Sequence, residues 1–361
     1  MIKVLLVEDS PVAVTILKRI IDSADDLSLV GTARTGVDAL ELIPKVKPDI
    51  ICTDLMMPKM NGLELTQKVM ETTPKPILVI SACVQDEDKN NVFELLNAGA
   101  VDVFPKPKGG TLEDYESIRD KLISKIRILA GVKVFTKRSN NNARSSLRLT
   151  DPNFKPINLN PSPHQNETNA TSPRTIQAVA IAASTGGPQA FQQVLMGIPG
   201  NFPVPIFCVQ HISSGFLQGF LDWLQNYSQL KIVIAKTGER PQVGNIYFPP
   251  DRLHLKIDKQ GRFYCGDDIP VDSHCPSATV LFQTIADYYK SSAIGVLMTG
   301  MGRDGARGLF DLKQRGAYTI AQDEATSVVF GMPQEAIKMG GAKTILPVTE
   351  ITPRLLKLVM G

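Results

Sequence analysis

Residues 178–188 read AVAIAASTGGP: an unbroken apolar run from Ala178 to Ala183 passes directly into Ser184, Thr185, Gly186, Gly187 and Pro188. A strand that is apolar at every position has both faces covered, as in a parallel sheet layered between helices. The glycines and Pro188 then mark a turn and the opening of a helix. The same pattern repeats in both directions. Downstream, Pro205–Gln210, Lys231–Ala235, Ile294–Met298 and Tyr318–Ala321 read as strands, and Gln189–Met196, Phe216–Trp223, Ser277–Tyr289 and Gly305–Gln314 as helices. Upstream, Ile2–Val7, Leu27–Thr32, Asp49–Thr53, Ile77–Ser81 and Val101–Phe104 alternate with amphipathic stretches. This alternation predicts α/β structure in two doubly wound parallel-sheet domains with right-handed crossovers.

Between the two series the chain changes character. From Lys133 to Arg174, Ser, Asn, Pro, Thr and Arg dominate (SNNNARSSLRLTDPNFKPINLNPSPHQNETNATSPR), with too few apolar residues to offset the entropy of ordering. A structureless loop of that length is uncommon inside one domain, and 361 residues exceed what a single core usually serves. The expected plan is one domain over residues 1–125, a helix end and flexible linker over 126–175, and a second domain over 176–361.

Composition narrows the function classes. A net charge of +3, with 43% hydrophobic and 21% charged residues, is ordinary for a soluble globular protein. Neither a basic stripe nor a helix-turn-helix pattern points to nucleic acid. Cys52, Cys83, Cys208, Cys265 and Cys275 are odd in number and form no C-x-x-C pair. That argues against a disulfide framework or a zinc site and fits a reducing cytosol, so a cytoplasmic location is expected. No apolar run approaches the ~18 residues of a membrane span. Ile2–Val7 is cut short by Glu8 and Asp9, so neither a signal peptide nor membrane insertion is expected.

In open α/β sheets, reactive groups gather beyond the carboxyl ends of the strands. In the first half, Glu8 and Asp9 follow the first strand, Asp54 the third, Ser81 closes the fourth, and Lys106 follows the fifth. Three carboxylates at one sheet edge repel one another unless a hard divalent cation joins them, and oxygen ligands suit Mg²⁺. Lys106 adds a compact positive charge. Such a group lets a carboxylate, with Asp54 the central candidate, attack a phosphoryl group while metal and lysine neutralise the incoming charge. Any one of these acids also reads as a helix cap or a solvated residue; the set does not.

In the second half, Ser184 stands where a strand meets a helix N-terminus, whose N–H groups suit either a bound anion or a developing oxyanion. STGGP is therefore an anion-binding turn or a nucleophile turn, although Ala182 occupies the first glycine position of G-x-S-x-G. PIFCVQ closes on His211, and the run AIGVLMTG leads to Met301, Gly302, Arg303 and Asp304. Serine, histidine and aspartate at three strand ends can form a chain in which Asp304 orients His211 and His211 deprotonates Ser184. His274, which precedes a helix, is the serious alternative base, and Asp323 the strongest alternative acid.

The motifs carry a resemblance. VEDS, DLMMPKMNG, VISA and DVFPKP are similar to the receiver domain of two-component response regulators. IAASTGGP, VQHI, IYFPPDRLHL, HCPSATVLF, LMTGMGRDGARG and AQDEATSVVFGMPQEA resemble, in order, the catalytic domain of the chemotaxis response-regulator protein-glutamate methylesterases. The first likeness implies a flavodoxin-like (βα)5 fold phosphorylated at Asp54. It also implies Mg²⁺ held by Glu8, Asp9, Asp54 and the Met56 carbonyl, and switch positions at Ser81, Phe104 and Lys106. The second implies a Rossmann-like fold with Ser184 as nucleophile, His211 as base, Asp304 as orienting acid, Thr185 as helper and the Met301 N–H as oxyanion donor. Ala182 replaces a usual glycine, and Thr279 stands where aspartate is frequent.

Together the two likenesses imply a phosphorylation-activated hydrolase that removes methyl groups from receptor glutamates, releasing methanol, and deamidates receptor glutamines. Its esterase chemistry needs no cofactor. Its implied partners are methyl-accepting chemotaxis receptors as substrate and a chemotaxis histidine kinase as phosphodonor. Two rivals belong to other classes: a regulator whose second half only binds a partner or DNA, and an esterase for a small molecule, which should have a closed apolar pocket.

Overall fold

The computed structural model describes residues 1–81, 86–106 (86–91 as backbone), 116, 118–134 and 175–361. The expected linker, apart from its two ends, lies outside the described residues, as do Cys83 and His164.

The N-terminal elements are β1 (Ile2–Val7), α1 (Pro11–Asp22), β2 (Leu27–Ala33), α2 (Gly36–Val46), β3 (Ile50–Thr53), α3 (Gly62–Thr72), β4 (Ile77–Ser81), α4 (Asp86–Ala98), β5 (Asp102–Pro105) and α5 (Arg119–Leu129). The strands form one parallel sheet in the order β2-β1-β3-β4-β5. The order reverses at β1, and the flanking β1 and β3 are the strands that end in acidic residues. Pairing of Val7 with Thr53 sets those ends level, and the Asp54 N–H donates to the Val7 carbonyl at 2.9 Å. Local chemistry fixes the helix starts. Ser10 caps α1 ahead of Pro11, and Asn61 with Glu64 forms a reciprocal capping box on α3.

The second half contains β6 (Ala178–Ala183), α6 (Gly187–Met196), β7 (Ile206–Gln210), α7 (Leu217–Gln225), β8 (Lys231–Ile234), β9 (Asn245–Phe248), β10 (His254–Ile257) and β11 (Phe263–Gly266). It continues with α8 (Ala278–Tyr289), β12 (Ala293–Leu297), α9 (Ala306–Gln314), β13 (Tyr318–Gln322), α10 (Met332–Lys338), β14 (Thr344–Leu346) and α11 (Val348–Val359). A seven-stranded parallel sheet runs β14-β13-β12-β6-β7-β9-β8, while β10 and β11 form a separate antiparallel hairpin. The strand order reverses between β12 and β6, so the loops after β6, β7 and β12 meet at a crevice.

Both doubly wound parallel sheets follow the sequence pattern. The elements it left unassigned, β9, β11, β14, α10 and α11, are short or, in α11, carry a proline inside the helix at Pro353. β9 fits between β7 and β8, β14 forms one edge of the sheet, β11 completes the hairpin, and the two helices lie outside the strand ends that carry the site.

The halves touch directly. One cluster of buried apolar side chains runs through both cores, with Phe93 of α4 packed on Phe220 and Trp223 of α7 at 5.7 and 5.8 Å between ring centroids. Asn97 Nδ2 donates to the Tyr227 hydroxyl at 2.9 Å, and Gln189 Nε2 to the Ala100 carbonyl at 3.1 Å. Among the described residues no helix is long and apolar enough to cross a membrane. Cys52, Cys208, Cys265 and Cys275 are free thiols.

Candidate functional site

At the N-terminal sheet edge, Lys106 Nζ lies 2.6 Å from Glu8 Oε2 and 2.7 Å from Asp54 Oδ2. Asp54 Oδ1 accepts the Leu55 N–H at 2.8 Å. Burial raises the Glu8 carboxyl above its ordinary range, only partly opposed by Lys106, with the Asp54 charge adding to the rise. Asp54 is raised for the same first reason, against Lys106 and the Leu55 N–H. For Lys106, burial works downward, but the two carboxylates outweigh it and hold the ammonium charged. One lysine therefore leaves buried negative charge undercompensated.

Ligand oxygens of Glu8, Asp9 and Asp54 lie within 4.8 Å of one another, a hard-oxygen donor set that fits a divalent cation. Ser81 is buried, and its carbonyl accepts the Lys106 N–H at 2.9 Å. Phe104 is buried in the cluster that includes Ile80, Leu122 and Ile126. The Met56 side chain is exposed, two residues beyond Asp54.

At the second edge, β6 delivers Ser184, β7 delivers His211 and the β12 loop delivers Asp304. Gly186 turns the chain into α6 with φ +75, and a side chain there would strike Val328, its Cβ falling 2.5 Å from that of Val328. Asp304 is fully buried, and its carboxylate is saturated. Oδ1 accepts the Ser277 hydroxyl at 2.7 Å and the N–H groups of Thr279 and Gly305 at 3.0 and 2.9 Å. Oδ2 accepts the Ala278 N–H at 2.7 Å and pairs with His211 Nε2 at 2.8 Å. The carboxylate thus sits on the N-terminus of α8, where backbone N–H groups and the helix dipole favour negative charge.

Burial alone would raise this carboxyl. His211, the Ser277 hydroxyl and the Thr279 N–H prevail and hold it well below the ordinary carboxylate range. An ionised carboxylate only accepts, so His211 Nε2–H is the donor of that bond, and in the neutral ring Nδ1 is the nitrogen that holds the lone pair. His211 Nδ1 is buried without a partner among the described residues.

The structure brings Ser184, His211 and Asp304 to one crevice, with the His–Asp bond formed and no Ser184–His211 hydrogen bond among the described residues. The Ser184 N–H donates to the Thr299 carbonyl at 2.9 Å, and the Thr299 hydroxyl donates to the Thr185 carbonyl at 2.9 Å. The Met301 N–H makes no backbone hydrogen bond among the described residues.

His274 does not bond to Asp304. It lies parallel to His211, ring centroids 3.9 Å apart at 11°, with Nδ1 donating to the Asp272 carbonyl at 2.7 Å. Asp323 is occupied elsewhere, accepting the Thr326 N–H and hydroxyl at 3.0 and 2.6 Å. Thr279, the departure from the family pattern, accepts the Gly305 N–H at 2.8 Å beside Asp304, where an aspartate would add a second charge. Ala182 is buried in β6 opposite Leu297.

Sequence reasoning did not assign Ser277, although its place as cap of a predicted helix was a signal. It also did not assign Gln210 or Thr299, which are polar residues at the ends of apolar strands.

Comparison with known proteins agrees with this layout. Residues 4–115 match the response regulator receiver domain family and residues 179–355 the CheB methylesterase family. A protein-glutamate methylesterase/protein-glutamine glutaminase of Nitrosospira multiformis is 39% identical, covering 99% of this chain and 97% of that one. A namesake in Syntrophus aciditrophicus is 37% identical over 99% and 98%. The crystal structure of the Thermotoga maritima CheB methylesterase catalytic domain superposes with a TM-score of 0.50 at 36% identity, covering 51% of this chain and 100% of that one. The chain therefore belongs to the protein-glutamate methylesterase/protein-glutamine glutaminase family, with a response-regulator receiver domain ahead of a CheB methylesterase domain.

Proposed function

We propose that Ser184, His211 and Asp304 hydrolyse γ-methyl esters of glutamate on methyl-accepting chemotaxis receptors, and that phosphorylation of Asp54 by a chemotaxis histidine kinase controls the rate. The supporting observation is the His211 ring, bonded through Nε2 to a saturated, ionised Asp304 and left with one bare nitrogen in the crevice of Ser184.

Ser184 Oγ attacks the γ-carbonyl carbon as its proton passes to His211 Nδ1, and Asp304 stabilises the imidazolium. The tetrahedral oxyanion faces the Met301 N–H and the start of α6. Collapse breaks the C–O bond, and methanol leaves with the proton from Nδ1. Water then gives its proton to Nδ1 and attacks the acyl-enzyme, releasing the glutamate carboxylate and restoring Ser184. A receptor glutamine presents the same carbonyl and loses ammonia. Hydrogen bonds between nucleophile and base are commonly long until substrate is bound, so an open Ser184–His211 pair is compatible with this role.

In the receiver, Glu8, Asp9, Asp54 and the Met56 carbonyl would hold Mg²⁺, which neutralises charge during phosphoryl transfer. Lys106 spans Glu8 and Asp54, holding the acceptor carboxylate in place. The unphosphorylated receiver rests on α6, whose first turn follows Ser184, and on α7. Loosening that contact is the proposed activating step, with 126–175 as helix end and linker between the domains.

Methanol release from methylated receptor membranes, with Mg²⁺ and a small phosphodonor, tests both sites. Release should vanish with Ser184→Ala and lose its phosphodonor response with Asp54→Ala. Undiminished release from Ser184→Ala would overturn the assignment.

A further inference from the structure

Gln210 ends β7 and is buried, with 4% of its surface exposed, between the two turns that carry the nucleophile and the base. Its side-chain amide has two protons, and both are committed: Nε2 donates to the Ser184 carbonyl at 2.8 Å and to the His211 carbonyl at 2.9 Å. The Oε1 atom on the other side is buried with no partner among the described residues. The room it occupies exists because residue 187 is glycine, since a Cβ there would lie 1.9 Å from Oε1.

An amide flip would set Oε1 against two carbonyl oxygens, so the neighbouring chemistry fixes the orientation. The result is a buried amide whose only donors hold the backbones of the two reacting residues, at the expense of an unmet acceptor. A core side chain chosen for packing alone would be apolar here, as its strand neighbours Val209 and Cys208 are.

From this geometry, and on the assignment of Ser184 and His211 above, we infer that Gln210 is a positioning residue that sets the separation of nucleophile and base. The Ser184 carbonyl also accepts the Gly187 N–H at 2.8 Å, so that peptide is clamped from two directions. The His211 peptide has the amide of Gln210 on its carbonyl and donates its own N–H to the Ala183 carbonyl at 3.0 Å. Rotating either peptide swings Oγ or the imidazole away from the other. A misplacement on the order of 1 Å costs about 100-fold in rate without weakening substrate binding.

The test uses the full chain with Mg²⁺ and phosphodonor on methylated receptor membranes, alongside Ser184 labelling by a fluorophosphonate. Gln210→Met keeps the shape and removes both donors. It should lower kcat about 100-fold and slow labelling in parallel, leaving KM within about threefold and the protein folded at the assay temperature. Gln210→Glu should keep part of the rate at acid pH, where a protonated carboxyl retains one donor, and lose it as pH rises. The titratable and charged groups near that position are His211, Asp304 and His274, with Asp251, Arg252 and Cys275 lining the same small cavity as Gln210, so the parent profile is the reference. If Gln210→Met does not fold, the Gln210→Glu profile decides alone. A kcat within threefold of the parent in folded Gln210→Met, or a Gln210→Glu profile parallel to the parent's, overturns the inference. Ser184→Ala retaining activity would instead overturn the assignment on which it rests.

Discussion

The Phe93 ring of the receiver stacks on the Trp223 indole of the methylesterase domain, 5.8 Å between centroids and 30° between planes. Both side chains are buried, and Phe220 closes on the same ring at 5.7 Å. Aromatic pairs of this kind add ~0.5–1.5 kcal/mol beyond the area they bury, and removing a buried Phe commonly costs ~3–5 kcal/mol. The contact is therefore one of those that hold the two domains together, beside the hydrogen bonds from Asn97 and Gln189.

Phe93→Ala should loosen the closed arrangement while leaving Asp54 and its neighbours intact. Methanol release without a phosphodonor should rise about tenfold or more, the equivalent of ~1.4 kcal/mol of closure. The further response to phosphodonor should shrink. Basal release no higher than that of the parent would show that this packing does not restrain the enzyme.

The sequence made the fold legible, and with it most of the residues gathered at the two candidate sites, because strand ends are where doubly wound sheets put reactive groups. Glu8, Asp54 and Lys106, like His211 and Asp304, could be picked out from that rule before any distance was known. What stayed hidden depends on contacts far apart in the chain. Nothing near Ser277 announces that its hydroxyl lies 2.7 Å from Asp304 Oδ1, 27 residues on. His274 was legible as a histidine near the site but ambiguous in role, and the His211–Asp304 bond together with the stacked ring geometry separates it from His211, the proposed base. The packing of α4 against α7 is likewise absent from any local pattern, since Phe93 and Trp223 each read as ordinary helix core.

Mg²⁺ should stabilise the receiver more strongly at neutral than at acid pH. Glu8 and Asp54 are raised by burial, so the stability tied to their protonated forms is present below the ordinary carboxylate range and is lost as pH rises through the raised values. A cation restores it where they ionise. A ligand at a hundredfold excess over its Kd adds ~2.7 kcal/mol. Thermal unfolding of the receiver with and without Mg²⁺ should show a gain of a few degrees at pH 7 that fades toward pH 5. Asp9→Asn with Asp54→Asn should abolish the gain, and an equal gain at both pH values would count against these ligands.

Asp304→Asn should leave the protein folded and cripple catalysis. An amide can offer a donor where His211 Nε2–H now donates, which favours the tautomer with the proton on Nδ1 and blocks proton uptake from Ser184. A loss in kcat of about 10³–10⁴ with little change in KM is expected from methanol-release kinetics. A loss below tenfold would mean that Asp304 does not orient the base.

His274 offers a test that separates stacking from titration. Burial, and then the His211 charge, push its imidazole down to about 4, so it is neutral at physiological pH beneath the base. A histidine lowered on folding contributes stability that is present above its unfolded pKa of about 6.5 and is lost as pH falls toward the folded value. Urea unfolding of the parent should therefore weaken between about pH 6.5 and 4. His274→Phe, which keeps a flat ring against His211 and cannot take a proton, should reduce that slope and keep most of the activity at pH 7. His274→Ala should reduce the slope equally but lose about tenfold or more in kcat, because nothing then limits rotation of the His211 ring. If Phe and Ala variants lose activity alike, the stacked ring does not position the base. If neither changes the acid slope, His274 is not the group that titrates there.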